Sequence, residues 1–325
     1  MPRHWHALAA TCGIKPGVSY VKAIIRRLLT VLTFSTTAQE QSSYHSFQDR
    51  GIKNFTKGDY DQAIANFSRA IDVSSRIGNP KSSLAFVFDK TSEAAATSDI
   101  RAVDLRTADA YLNRGRAYLF KGELDRAIED FTSALKIRPT LANAYYCRGT
   151  TRLAQKQFDQ AIEDFDRMIK LEPENWNGYV GRGVVRFNMG DSKLALADLD
   201  YAKKLAPKNA IVAYQLGDIH RELGDFDGAM KEFEFAIKRD PKMAQGYLGR
   251  GMVHVQRREP DEAIADISKA ISLDSRLPHA YANRGLAYFL KGNTELAEKD
   301  FVTATALDPT IRPEIDSYVA KLKKS

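Results

Sequence analysis

From residue 108 onward, apolar and small positions return every 34 residues, and within each interval they follow the spacing of two successive helices. Glycine stands at Gly115, Gly149, Gly183, Gly217, Gly251 and Gly285. Alanine keeps the same interval at Ala127, Ala161, Ala195, Ala229, Ala263 and Ala297. Four residues further lies a larger apolar residue: Phe131, Phe165, Leu199, Phe233, Ile267 and Phe301. Pro139, Pro173, Pro207, Pro241 and Pro309 close the units, with Ser275 the one departure. The pattern predicts a helix, a turn and a second helix in each interval, each helix about a dozen residues long.

Packing explains the glycines. A glycine inside a helix costs roughly 0.5–1 kcal/mol relative to alanine, so a repeated one implies that a neighbouring helix comes close. The alanines of the second helix serve the same contact, and Phe131 and its equivalents fill the space beside it. Proline ends one unit and sets the start of the next. A later glycine, at Gly122, Gly190, Gly224 and Gly292, marks the turn between the helices. Helices this short are marginal alone and become stable when stacked.

The run Tyr111, Arg114, Gly115, Tyr118, Ala127, Phe131, Ala134, Pro139 resembles the tetratricopeptide repeat. The resemblance implies an all-α fold, a right-handed α-solenoid of stacked helix-turn-helix repeats. Six contiguous repeats occupy 108–311. An earlier copy at 40–77 carries Tyr44, Phe47, Gly51, Gly58, Ala63, Phe67 and Ala70 in register. Between them lies an insert, 78–107, expected to be a loop with about one added helical turn. Within it, Leu84-Ala85-Phe86-Val87-Phe88 is apolar enough to pack against the fold. Residues 312–325, with Ile315, Tyr318, Val319 and Leu322 at helical spacing, are expected to form a capping helix.

Residues 1–39 stand outside the repeat. A basic stretch ending in Arg26-Arg27 precedes the apolar run Leu28–Phe34 and the small residues Ser35–Ala38. That order is the order of a secretory signal. A translation start at Val21 would make it compact. An amphipathic anchor on a membrane surface and an uncleaved cytoplasmic tail are the alternatives. The chain is therefore expected to be periplasmic or secreted if the leader is cleaved, and cytoplasmic otherwise. A membrane-spanning helix fits poorly, because it needs about 20 apolar residues.

The leader also accounts for the charge. The chain carries 48 basic and 41 acidic residues, a net +7. Arg3, Lys15, Lys22, Arg26 and Arg27 lie in the leader, which has no acid. Without those five the balance falls to +2, 43 basic residues against 41 acidic. A near-neutral body argues against nucleic acid as a partner.

No nucleophile motif, phosphate-binding glycine loop or metal-ligand spacing is present, so neither catalysis, a cofactor nor a metal is expected. Of the two cysteines, Cys12 lies in the leader and Cys147 in a predicted helix, where a buried apolar role is expected. His220 and His254 sit one repeat apart and read as packing positions. Arginine precedes the repeat glycine at Arg50, Arg114, Arg148, Arg182, Arg250 and Arg284, with Leu216 the exception. Sixteen residues beyond these arginines stand Asn66, Asp130, Asp164, Asp198, Asp266 and Asp300. The spacing predicts a ladder of arginine–carboxylate pairs between first and second helices; a cationic stripe for an anionic ligand is the rival reading.

In the family that the motif resembles, first helices line a concave surface that receives partner peptides or helices. Carried onto this chain, one row holds Leu112, Tyr146, Val180, Tyr214 and Leu248. A second holds Arg116, Thr150, Val184, Asp218 and Met252, and a third Leu119, Leu153, Phe187, Arg221 and Val255. The twelve candidate groove residues are Leu112, Arg116, Leu119, Tyr146, Val180, Val184, Phe187, Tyr214, Arg221, Leu248, Met252 and Val255. One subgroup clamps a chaperone's C-terminal carboxylate with lysine and asparagine. Asn113 and Asn283 match its middle asparagine, but Gln48, Ile52, Leu248 and Met252 stand where the flanking residues belong. The expected activity is therefore non-catalytic: an adaptor or scaffold holding a peptide or amphipathic helix of another protein in an apolar groove. A cytoplasmic regulatory scaffold is the alternative, membrane contact is confined to the leader, and oligomeric state is left open.

Overall fold

A computed structural model describes residues 39–77 and 93–324. Among the described residues all regular structure is helical. Two compact units lie within Met1–Lys156 and Gln157–Ser325. The leader, Cys12 and the apolar run 84–88 fall outside the described residues.

In the first unit, α1 spans 39–56, followed by α2 (Tyr60–Ile77), α3 (Glu93–Lys121), α4 (Leu124–Ile137) and α5 (Ala142–Ala154). Helix α3 is 29 residues long. Its first half occupies 93–107, where the sequence suggests a single added turn; about four turns of helix form there instead. The reason shows at its middle. The Tyr44 hydroxyl donates to the Arg106 carbonyl at 2.6 Å and accepts from Gln48 Nε2 at 2.7 Å. The Ser74 and Thr107 hydroxyls also bond. Tyr44, Ala70, Ile71 and Ala110 bury one cluster, and Leu112, Phe131, Ala134 and Ala144 the next.

In the second unit α6 (Phe158–Leu171) leads into three further pairs: α7 (Trp176–Asn188) with α8 (Ser192–Leu205), α9 (Ala210–Glu222) with α10 (Phe226–Arg239), and α11 (Ala244–Gln256) with α12 (Pro260–Leu273). The pair α13 (Pro278–Leu290) and α14 (Thr294–Leu307), a short 3₁₀ turn (Pro309–Ile311) and α15 (Arg312–Lys324) complete it. Each first helix lies between the second helices before and after it. Val180 of α7, Leu199 of α8 and Leu216 of α9 share one core. At the end, Ile311 and Ile315 close over Leu286 and Phe301.

The repeat glycine sits where packing requires it. A Cβ on Gly285 would lie 2.5 Å from Phe301 Cε1 and 3.0 Å from the Ala297 carbonyl, and one on Gly115 2.7 Å from Phe131 Cε1. The turn glycines Gly122, Gly190, Gly224 and Gly292 have φ between +78° and +91°. Lys156 and Arg258 take the equivalent turn at φ 59° and 62° without a glycine.

Neighbouring first helices approach one another directly. In the second unit α7 adjoins α9, α9 adjoins α11 and α11 adjoins α13. Among the described residues of this unit, no second helix comes within 8 Å, Cα to Cα, of another second helix. Unequal spacing of this kind bends the stack, with first helices on the inner side of this unit.

Candidate functional site

The arginines that precede the repeat glycine are held from three directions. Arg284 donates through Nε and Nη2 to both carboxylate oxygens of Asp300, at 2.7 and 2.9 Å. Arg114–Asp130, Arg182–Asp198 and Arg250–Asp266 repeat that two-pronged geometry at 2.7–3.0 Å. The Nη1 of Arg182 reaches back to Asp166 at 2.6 Å, and those of Arg148 and Arg284 to Thr132 and Ser268 at 3.0 and 3.2 Å. Beneath Arg114, Arg148, Arg182 and Arg284 lies the tyrosine ring three residues earlier, Tyr111, Tyr145, Tyr179 and Tyr281, at 5.4–5.6 Å. The hydrogen bonds and charge of Asp266 and Asp300 raise the pKa of Arg250 and Arg284. Arginines so engaged tie helices together. The first one is different: Arg50 donates to the Ser46 carbonyl and lies over Phe47, while Asn66 donates to the Gln62 carbonyl.

A second ladder, not anticipated from sequence, runs along the turns. The residue before or at the turn reaches an acid of the repeat before, 30 positions earlier for Gln155 to Asp125 at 2.7 Å and Lys291 to Asp261 at 2.5 Å, and 60 positions earlier, across the insert, for Lys121 to Asp61 at 2.6 Å. Arg257 and Asp227 pair likewise. At the two corresponding places in α7–α8 and α9–α10 stand Met189 and Leu223, 42% and 45% exposed. Their period was readable in the sequence as a repeated cation or amide, which would have singled out these two departures.

The twelve candidate residues divide by burial. In the first unit Leu112 is a core residue, Leu119 packs half-buried on the same cluster, and Arg116 is exposed with its guanidinium 5.4 Å from the Phe55 ring. Tyr146 is half-buried, and burial pushes its hydroxyl pKa up. Phe120, 60% exposed, stacks on Tyr60 beside Phe55.

In the second unit Val180 is buried in the core, so it offers no free surface, and the same holds for Leu112. The reason is geometric: both point between their own helix and its partners, as half the apolar positions of a packed helix must. Val184 and Phe187 of α7, Tyr214 of α9, and Leu248, Met252 and Val255 of α11 are half-buried. Burial raises the Tyr214 hydroxyl to about 12. Arg221 is buried, although it was expected on the groove surface; its Nη2 donates to Asp218 at 2.7 Å and Glu222 at 2.6 Å, which makes burial tolerable.

Among the described residues, no group of three or more histidine, cysteine or carboxylate side chains could hold a metal, and no helix is long and apolar enough to cross a membrane. His220 bonds Asp225 at 2.8 Å and His254 bonds Glu259 at 2.6 Å, each at the start of the following second helix. Cys147 is free, and burial pushes its thiol up to about 11.

Stacked helix pairs with a repeating glycine–aromatic contact, and first helices that adjoin within each unit, define an all-α repeat protein. Three tetratricopeptide-repeat profiles match, at residues 108–141 and 142–175, 214–278, and 278–311. The chain belongs to the tetratricopeptide repeat family. No curated protein matches it in sequence. Among solved structures, a tetratricopeptide repeat protein from Parabacteroides merdae is similar at 18% identity and TM-score 0.62, over 86% of this chain and 99% of that one. Yeast Tom70 is similar at 16% identity and TM-score 0.55, over 98% and 77%. The Cut9–Hcn1 structure of the APC/C is similar at 16% identity and TM-score 0.57, over 78% of this chain and 52% of that one. These likenesses establish the fold. Proteins built from this repeat are in general scaffolds that bind other proteins.

Proposed function

We propose that this chain is a non-catalytic adaptor that holds a peptide or amphipathic helix of another protein against the inner face of its first helices. The observation that carries the reading is the row α7, α9, α11, α13, whose adjoining helices leave Val184, Phe187, Met252 and Val255 only half-buried. Apolar side chains left at a surface by a regular stack are what a partner's apolar side chains can bury, at about 25 cal/mol per Å².

Photo-crosslinking tests it. A crosslinker at position 252 is expected to capture a partner protein, whereas one at Phe235 on the second-helix side is not. Val184→Glu with Met252→Glu is expected to abolish capture with helicity intact. Equal capture from both positions, or capture surviving the double substitution in folded protein, refutes the reading.

We further propose that the adaptor is exported, on the strength of the basic, apolar and small-residue order of the leader. N-terminal sequencing of the native protein tests this. A mature terminus near Gln39 is expected, and an intact leader on the protein recovered from cells refutes it.

A further inference from the structure

Three departures from the period fall on the same two helix pairs. Leu216 replaces the arginine of the first ladder, and its acid, Glu232, is held instead by Lys203 at 2.5 Å. Met189 and Leu223 replace the polar members of the second ladder and are left in solvent. Between them, on the inner side of α9, sit Asp218, Arg221 and Glu222. The Arg221 side chain is only 8% exposed, and its Nε has no acceptor among the described residues. Each carboxylate gives one oxygen to Arg221 and keeps the other; their side chains are 39% and 50% exposed. The spot therefore carries a net charge of −1 beside the uncharged side chains of Val184, Phe187, Met252 and Val255.

The physical consequence concerns what can cover this face. A wholly apolar partner would strand one carboxylate charge out of water, at a cost of several kcal/mol. An acidic partner would add repulsion. A partner bearing a cation among apolar residues satisfies the free oxygens and buries Met189 and Leu223 together.

We propose that the inner face of α7–α9 docks an amphipathic partner segment in which a single lysine or arginine, flanked by apolar residues, pairs with Asp218 and Glu222. The inference rests on the adaptor reading and specifies the partner's chemistry. Apolar contact supplies the area, and the buried Arg221 fixes the two carboxylates in place to receive the cation.

The test uses the full chain and three fluorescein-labelled amphipathic peptides with one leucine stripe and lysine, glutamate or alanine at its centre. Anisotropy is expected to show the lysine peptide binding about tenfold or more tighter than the other two. Asp218→Asn with Glu222→Gln is expected to erase that preference. Met189→Lys, which supplies the missing ladder partner for Asp159, is expected to weaken the lysine peptide about tenfold with the thermal midpoint maintained. Equal affinity for the three peptides, a preference that survives the double substitution, or an indifferent Met189→Lys overturns the proposal. If the peptides bind equally and Val184→Glu abolishes binding, the adaptor reading stands and only the cation is lost. If no peptide binds, or binding ignores Val184→Glu, both fall. A concentration-dependent dimer that the lysine peptide cannot dissociate would make a second copy the occupant and overturns it too.

Discussion

Arg284 grips both oxygens of Asp300 from the first helix of the last repeat, while its third donor reaches Ser268 on the repeat before. One side chain thereby joins three helices. Asp300, with 7% of its side chain exposed, depends on that partner.

Removing the arginine should therefore cost more than an exposed ion pair would. Arg284→Met is expected to destabilise the chain by about 2–4 kcal/mol, because it leaves a buried carboxylate uncompensated. Arg284→Met with Asp300→Leu should recover most of that loss. Urea unfolding of the two variants gives the comparison, and a double variant no more stable than the single one would refute the account.

Gly285→Ala places a methyl group 2.5 Å from the Phe301 ring and 3.0 Å from a backbone carbonyl. The ring or the helix must shift, at a cost of about 1–3 kcal/mol. Better intrinsic helix propensity offsets at most about 1 kcal/mol. A lowered thermal midpoint is expected, and an unchanged or raised one would show that the helices do not need the close approach.

Lys156 occupies a left-handed turn that glycine takes elsewhere in the array. Lys156→Gly should stabilise by about 0.5–1 kcal/mol, since an L side chain is strained there. The readout is a small upward shift in thermal midpoint with unchanged helicity.

Alkaline stability follows from three buried groups. Burial is the main cause that pushes Tyr44 and Tyr214 up to about 12 and the Cys147 thiol up to about 11. The unfolded chain ionises these groups at their ordinary values, from about 8.5 to 10, while the folded chain keeps them protonated. Their contribution is complete below the unfolded values and is lost as pH rises through the folded ones. The thermal midpoint should therefore fall between about pH 9 and 12. Tyr214→Phe should flatten that fall, and Cys147 should react with thiol reagents at pH 8 far more slowly than in urea.

Much of the fold was legible because a solenoid is local. Gly115 with Phe131, and Arg114 with Asp130, meet sixteen residues apart, so the period alone identifies the partners. That spacing predicts the arginine ladder, and four of its rungs are present as full two-pronged pairs. Contacts from one repeat to the previous one were harder to see. Lys121 with Asp61 and Lys291 with Asp261 become apparent only when adjacent repeats are placed side by side. The long start of α3 was also hidden, because its support comes from Tyr44 and Ser74 in another repeat.

The sequence by itself determined the class of fold and the pairing of the regular arginines with carboxylates. Those depend on periodicity, which a linear chain displays in full. Tertiary structure alone decided which apolar positions remain at a surface. Leu112 and Val184 look alike in the sequence, yet Leu112 is buried in the core and Val184 is only half-buried. Burial depends on how closely neighbouring helices approach, and no residue type encodes that distance alone. The same packing turned Arg221 from a groove cation into a buried brace between two acids.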